Sequence, residues 1–180
     1  MAAARLSGRQ VVRPALEQVW SWLGEVPDPE IPVISLTDLG IIRDVAWEGE
    51  TLVVTVTPTY SGCPATSVIN LEIEKRLAEE GVTDLRLKRQ LSPPWTTDWI
   101  APAARNALKA YGIAPPIDGT AADGVLAGRI ARLTGENAAV ECPRCGSTQT
   151  EMVSRFGSTP CKAAYRCRDC LEPFDYFKCI

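Results

Sequence analysis

Residues 51–80 read TLVVTVTPTYSGCPATSVINLEIEKRLAEE, and the change of period inside this stretch decides the fold. Leu52, Val54 and Val56 alternate with Val53, Thr55 and Thr57, the two-residue repeat of a strand with one buried face. From Pro64 to Glu80 the repeat lengthens. Val68, Ile69, Ile73 and Leu77 fall on one helical stripe, and Gly81 stands where a left-handed cap is expected. Between the two periods lies Tyr60-Ser61-Gly62-Cys63-Pro64-Ala65. Pro64 suits a first helical turn, which predicts that Cys63 sits at or beside the N-cap. Unsatisfied N–H groups and the helix dipole favour a thiolate there. The same position equally suits an inert cysteine buried at a strand-to-helix junction.

Working outward, Ile41 to Trp47 reads as a strand joined to Thr51–Pro58 through the turn Glu48-Gly49-Glu50. Upstream, Pro14 to Leu23 carries Leu16, Val19, Trp20 and Leu23 on one stripe, a short helix closed by Gly24. The loop Val26-Pro27-Asp28-Pro29-Glu30-Ile31-Pro32 is stiffened by three prolines. Asp28 and Glu30 are hard oxygen ligands on this rigid segment, and with a facing thiolate they would make a transient iron site. From spacing alone, Asp28 reads as a turn residue and Glu30 as a solvated side chain. Downstream, Leu85, Leu87 and Leu91 alternate with Arg86, Lys88 and Gln90 as a third strand. Asp98 is placed to cap a last helix ending near Tyr111, with Gly112 as the stop. The order α-β-β-α-β-α predicts an α+β domain with a three-stranded sheet over residues 14–116, after a disordered tail at 1–13. Residues 117–139 read as an Ala- and Gly-rich linker with room for a short helix around Val125 to Leu133.

From residue 140 to 180 the texture changes. Cys142-Pro143-Arg144-Cys145-Gly146 and Cys167-Arg168-Asp169-Cys170 are two C-x-x-C knuckles. Two such turns aim four sulfurs at one point, a tetrahedral site that suits Zn2+ and also accommodates iron. Thr148 to Val153, Ala163 to Arg166 and Pro173 to Lys178 read as strands, which completes a zinc-ribbon layout. Four protein thiolates leave no open position on the ion, so its expected role is structural, and a segment this short needs the metal to fold. Cys161 and Cys179 lie outside the knuckles; packing, exchange with the ligands, or help in holding an iron–sulfur cluster are all open to them. Phe156, Tyr165, Phe174, Tyr176 and Phe177 are candidates for a protein-docking surface.

Composition bounds the rest. At 180 residues and 46% hydrophobic content the chain can bury an ordinary core. A net charge of -3 and a pI near 5.1 invite neither nucleic acid nor an anionic membrane, and the last 41 residues balance six basic against five acidic side chains. No apolar run approaches the roughly 18 residues of a membrane span. There are no histidines, so a Cys-His or Ser-His-Asp device within the chain is excluded. Seven cysteines without a signal-like start point to metal or thiol chemistry in the reducing cytoplasm rather than to disulfides. A stable iron–sulfur cluster normally takes four protein ligands, and the first domain owns one cysteine. It would contribute one ligand in a homodimer, hand over iron or a cluster transiently, or dock with a scaffold.

Asp28-Pro29-Glu30-Ile31-Pro32, Asp38-Leu39-Gly40, Ser61-Gly62-Cys63-Pro64 and Pro93-Pro94-Trp95-Thr96-Thr97-Asp98-Trp99 resemble the domain of SufT-like iron–sulfur maturation factors, over about residues 14 to 112. The tail, with Cys142-Pro143-Arg144-Cys145-Gly146-Ser147, Phe156-Gly157-Ser158-Thr159 and Tyr165 through Cys179, is similar to the PaaD family of phenylacetate-degradation proteins. The resemblance implies Cys63 as the functional thiol, Asp28 and Glu30 as its acidic loop, and Cys142, Cys145, Cys167 and Cys170 as metal ligands. It implies a non-enzymatic accessory protein of the monooxygenase that epoxidises phenylacetyl-CoA, loading iron or an iron–sulfur cluster into the reductase or the di-iron oxygenase together with the iron–sulfur assembly machinery. The alternative is a structural or regulatory subunit bound stably to that complex. An enzyme using Cys63 as nucleophile is a third reading, and it lacks a histidine base.

Overall fold

The computed structural model describes residues 13–117 and 140–178. The first part contains α1 (Leu16–Leu23), β1 (Ile42–Glu48), β2 (Thr51–Val56), α2 (Thr66–Glu79), β3 (Leu85–Arg89), a 3-10 turn at Thr97–Trp99, α3 (Pro102–Tyr111) and β4 (Ile113–Ala114). The second contains β5 (Thr150–Ser154), β6 (Lys162–Cys167) and β7 (Pro173–Phe177). The expected α+β order holds throughout. The tail up to residue 12, the linker from 118 to 139 with its expected helix, and Cys179 lie outside the described residues.

β1 and β2 form an antiparallel hairpin around Gly49, whose φ of 64° is the left-handed conformation a tight turn demands. β2 then pairs in parallel with β3, Leu52 opposite Leu85 and Val54 opposite Leu87. A parallel return needs a crossover, and α2 supplies it. Its Ile69, Ile73 and Leu77 meet Leu52, Val54 and Val56 of the sheet and Val19 and Leu23 of α1 in one core.

Three local expectations are corrected. Val68 is 43% exposed, because the buried stripe of α2 is narrower than four residues would make it. The alternate residues Val53 and Thr55 of β2, and Thr57 just past it, are buried as well, since β2 is the middle strand with a neighbour on each side. Asp98 does not cap the last helix. It lies in the 3-10 turn, and α3 starts at Pro102 after an extended Ala101.

The second sheet runs β4-β7-β6-β5. Its outer strand β4 comes from the first part of the chain and pairs in parallel with β7, Ile113 opposite Asp175. Phe177 and Cys161 are buried in the core of the first part, and the Phe177 ring packs 6.0 Å from that of Trp95. Trp95 in turn donates from Nε1 to the Leu39 carbonyl at 2.9 Å. The two parts therefore share both a sheet and a core. The expected aromatic docking face does not form from these residues. Phe177, Phe174 and Tyr165 are buried, Tyr176 is half-buried, and only Phe156 points outward. Among the described residues no helix is long and apolar enough to cross a membrane.

Candidate metal centre and thiol site

Two clusters of sulfur chemistry result. The first is built by the knuckles. Cys142 accepts at its carbonyl from the Gly146 N–H at 2.9 Å and donates its own N–H to Ser147 O at 2.8 Å. Gly146 has a φ of 76°, which reverses the chain so that Cys142 and Cys145 face the same way. The second knuckle closes likewise, with the Cys167 N–H on Glu172 O and Leu171 in the left-handed region at 64°. The sulfurs of Cys142, Cys145, Cys167 and Cys170 all lie within 4.8 Å of one another. The pairs Cys142–Cys170 and Cys145–Cys167 are 3.7 and 3.6 Å apart. Four thiolates about 2.3 Å from a tetrahedral ion stand about 3.8 Å apart, so this set fits a zinc-sized ion. Cys142 and Cys167 are buried and Cys145 and Cys170 exposed. The thiols share their protons unevenly. Backbone N–H groups, led by that of Cys170, bring Cys167 down to about 7. At Cys145 the Ser147 N–H pulls downward, but the neighbouring thiol of Cys170, burial, and Cys167 and Cys142 outweigh it and push the group up to about 12.

The second cluster lies where the two parts of the chain meet. In the proline-rich loop, Asp28 Oδ1 accepts from the N–H groups of Glu30 at 2.9 Å and Ile31 at 2.8 Å. Asp28 thus does shape a turn, and it is also buried at 7% exposure. Burial raises its carboxyl, against the Glu30 and Ile31 N–H groups and the charge of Lys162. The loop is held by backbone hydrogen bonds to the segment that follows it, from the Asp28 N–H to Ile34 O at 2.8 Å and from the Leu36 N–H to Val26 O at 2.9 Å. Gly40 has a φ of 68°, and a Cβ there would come within 2.7 Å of Trp99 Cβ, so no other residue fits without displacement.

Cys63, Asp28 and Glu30 do come together. They line one cavity of about 20 Å³ together with Cys161 and Phe177. The expected setting of Cys63 needs correction. Pro64 and Ala65 precede the helix, whose first residue is Thr66, so Cys63 stands two residues before the N-cap. Its carbonyl accepts from Thr66 Oγ1 at 2.9 Å. Burial pushes its thiol up, the Ala65 N–H pulls it down, and the charges of Glu30 and Asp28 add to the rise. These surroundings favour the thiol over the thiolate, the opposite of the activation that a helix terminus would give.

Cys161 is the residue whose place the sequence did not disclose. It is 5% exposed, its thiol points to Glu30 Oε2 at 3.8 Å, and Thr159 Oγ1 lies 3.0 Å from its sulfur. Lys162 beside it is buried and pairs with Asp175 Oδ2 at 3.7 Å. A separation of 131 residues between Cys161 and Glu30 left no periodic signal to read.

Comparison with known proteins follows the same division. The model of the family described as "PaaD zinc beta ribbon domain" matches residues 128–178. That of "Iron-sulfur cluster assembly protein" matches residues 16–83. The chain is 47% identical over 170 residues to a protein of Escherichia coli named as one of the subunits of a "Putative 1,2-phenylacetyl-CoA epoxidase", covering 94% of this chain and 96% of that protein. The chain belongs to the PaaD family. Over its first part this PaaD-family chain is also 35% identical across 94 residues to "Fe-S protein maturation auxiliary factor YitW" of Bacillus subtilis, covering 51% of this chain and 91% of that one. A solved structure, a domain of unknown function DUF59 from Bacillus anthracis, matches with a TM-score of 0.47 and 29% identity over 51% of this chain and 89% of that one.

Proposed function

We propose that this PaaD-family protein is a non-catalytic accessory factor of phenylacetate catabolism that delivers iron, or an iron–sulfur cluster, to a component of the phenylacetyl-CoA epoxidase. The observation that carries the reading is the convergence of Cys63, Asp28 and Glu30 on one cavity. A thiol and two carboxylates are donors that an iron ion accepts, and three donors from two loops do not meet by sequence proximity. The two relatives' names point the same way, one naming part of the epoxidase and the other an iron–sulfur maturation factor.

In this reading Cys63 is the transfer thiol, and Asp28 and Glu30 are its neighbours. Its raised proton affinity suits a carrier. A metal ion displaces the proton on arrival, and a proton can replace the metal on departure. Cys142, Cys145, Cys167 and Cys170 hold a structural zinc, which supplies folding energy and no chemistry. The ribbon is the docking module toward the reductase or the di-iron oxygenase, with the iron–sulfur assembly machinery upstream.

Cells producing the epoxidase with Cys63→Ser test the reading. The complex should assemble with all its components in normal amounts while the recipient lacks iron or cluster. Normal metal in the recipient would refute the carrier role and leave a stably bound structural subunit.

A further inference from the structure

The second thiol of the seam cavity has no role in that account. Cys161 approaches from the ribbon side and Cys63 from the first part, and both line the same 20 Å³ space with Glu30. Cys161 is not simply packed as an apolar residue, since its sulfur faces a carboxylate oxygen at 3.8 Å and a hydroxyl at 3.0 Å. We propose that Cys63, Cys161 and Glu30 bind one soft divalent ion, of the Fe(II) or Zn(II) class, at the seam between the two parts of the chain. This deepens the carrier reading and rests on it for the identity of the cargo.

Three observations support the assignment. Two sulfurs and one carboxylate oxygen form a three-ligand set, which leaves the fourth position of a tetrahedral ion open to a ligand from a recipient. The cavity volume decides what fits. About 10–15 Å³ is needed for one water-sized body, so the 20 Å³ space has room for a single ion. Glu30 also lines the neighbouring open groove of about 540 Å³, together with Lys162 and Asp175. The ligand that completes the site thus stands on the route between cavity and solvent.

The ribbon thiols are the only set among the described residues whose ligand atoms all lie within 4.8 Å. The seam donors form no such group as they stand, so side chains must rotate inward to close on an ion, which makes for a weaker hold than the knuckles have. Binding is balanced by protons: the dication enters, each thiol gives up one proton to solvent, and Glu30 contributes a carboxylate oxygen. Thr159 is placed to donate to the Cys161 thiolate so formed.

The full-length chain, its ribbon first filled with one equivalent of zinc, is titrated with Co(II) under anaerobic conditions. The wild type should take up a second equivalent and show thiolate-to-cobalt charge-transfer absorption. Cys63→Ser and Cys161→Ser should each lose about half of that intensity and weaken binding by roughly tenfold or more, with the zinc equivalent retained. Glu30→Gln should keep the charge-transfer band and weaken binding. No second equivalent in the wild type, or Cys161→Ser binding Co(II) as the wild type does, would overturn the proposal. Should Cys161→Ser fail to fold, Glu30→Gln decides, and unchanged affinity there overturns it. Loss of recipient iron in Cys63→Ser cells without a second cobalt site would refute this site and leave the carrier reading standing. A second cobalt site with normal recipient iron would do the reverse.

Discussion

The knuckle site and the seam cavity both use sulfur, in opposite ways. In the knuckles four thiols stand within 4.8 Å of one another, held by backbone hydrogen bonds within two short turns. In the seam two thiols and two carboxylates come from segments far apart in the chain and surround a space without closing on it. The first geometry suits a resident ion. The second suits an ion that must leave. The difference teaches that ligand type alone does not separate structural from transfer chemistry. Which backbone elements hold the ligands, and how many positions remain open, does so.

The comparison breaks most visibly at the knuckles. Removing zinc with a strong chelator, or replacing Cys142 with Ser, should unfold β5 to β7, because structural zinc binding is worth on the order of 10 kcal/mol in small thiolate sites. Hydrogen exchange should show loss of protection across residues 140–178. Retained protection there without metal would mean that packing against the first part suffices.

That packing is the next largest effect. Phe177 is 1% exposed and lies against Trp95, so Phe177→Ala should cost about 3–5 kcal/mol in denaturant unfolding. A change within about 0.5 kcal/mol would show that the two parts are stable apart.

Cys63→Ser should shift global stability by no more than about 1 kcal/mol, since the side chain is half-buried and the substitution nearly isosteric. Zinc content should stay at one per chain. A fall in zinc would merge the two sites and remove the distinction drawn between them.

The smallest effect concerns the thiol itself. Burial is the main influence on Cys63 and disfavours its thiolate, the Ala65 N–H opposes this, and Glu30 adds to it. Because the proton is held more tightly than on a free cysteine, alkylation of Cys63 in the seam-empty, zinc-filled chain should be slower than that of a cysteine peptide at pH 8. It should accelerate as pH rises further. Peptide mapping by mass spectrometry follows Cys63 alone. A rate equal to or above that of the peptide would restore the activated thiolate first expected from the sequence.

Much of the fold was legible because its signals are local. The period change between Thr57 and Val68 located β2 and α2, and the two C-x-x-C pairs located the ribbon. The parallel pairing of β2 with β3 was not read from the sequence, although the strand, helix, strand order supplies the crossover it needs. The misreadings have physical causes. Pro64 and Asp98 carry helix-start chemistry, but each precedes its helix by a short non-helical segment, which residue type alone does not measure. That Cys63, Asp28 and Glu30 line one cavity was suggested by the family resemblance and not by their spacing, whereas the placement of Cys161 and the burial of Phe177 depend on how the ribbon seats against the first part. β4 brings that seating about through a pairing of two residues, too short to leave a pattern.

The carrier account is tested most directly by transfer in vitro. The zinc-filled chain, loaded with one Fe(II) at the seam, is mixed anaerobically with metal-free epoxidase components in the presence of an iron chelator that holds free iron below useful levels. The recipient should acquire iron from the wild-type chain and none from Cys63→Ser. Equal acquisition from both, or from iron salt under the same chelator, would contradict the account.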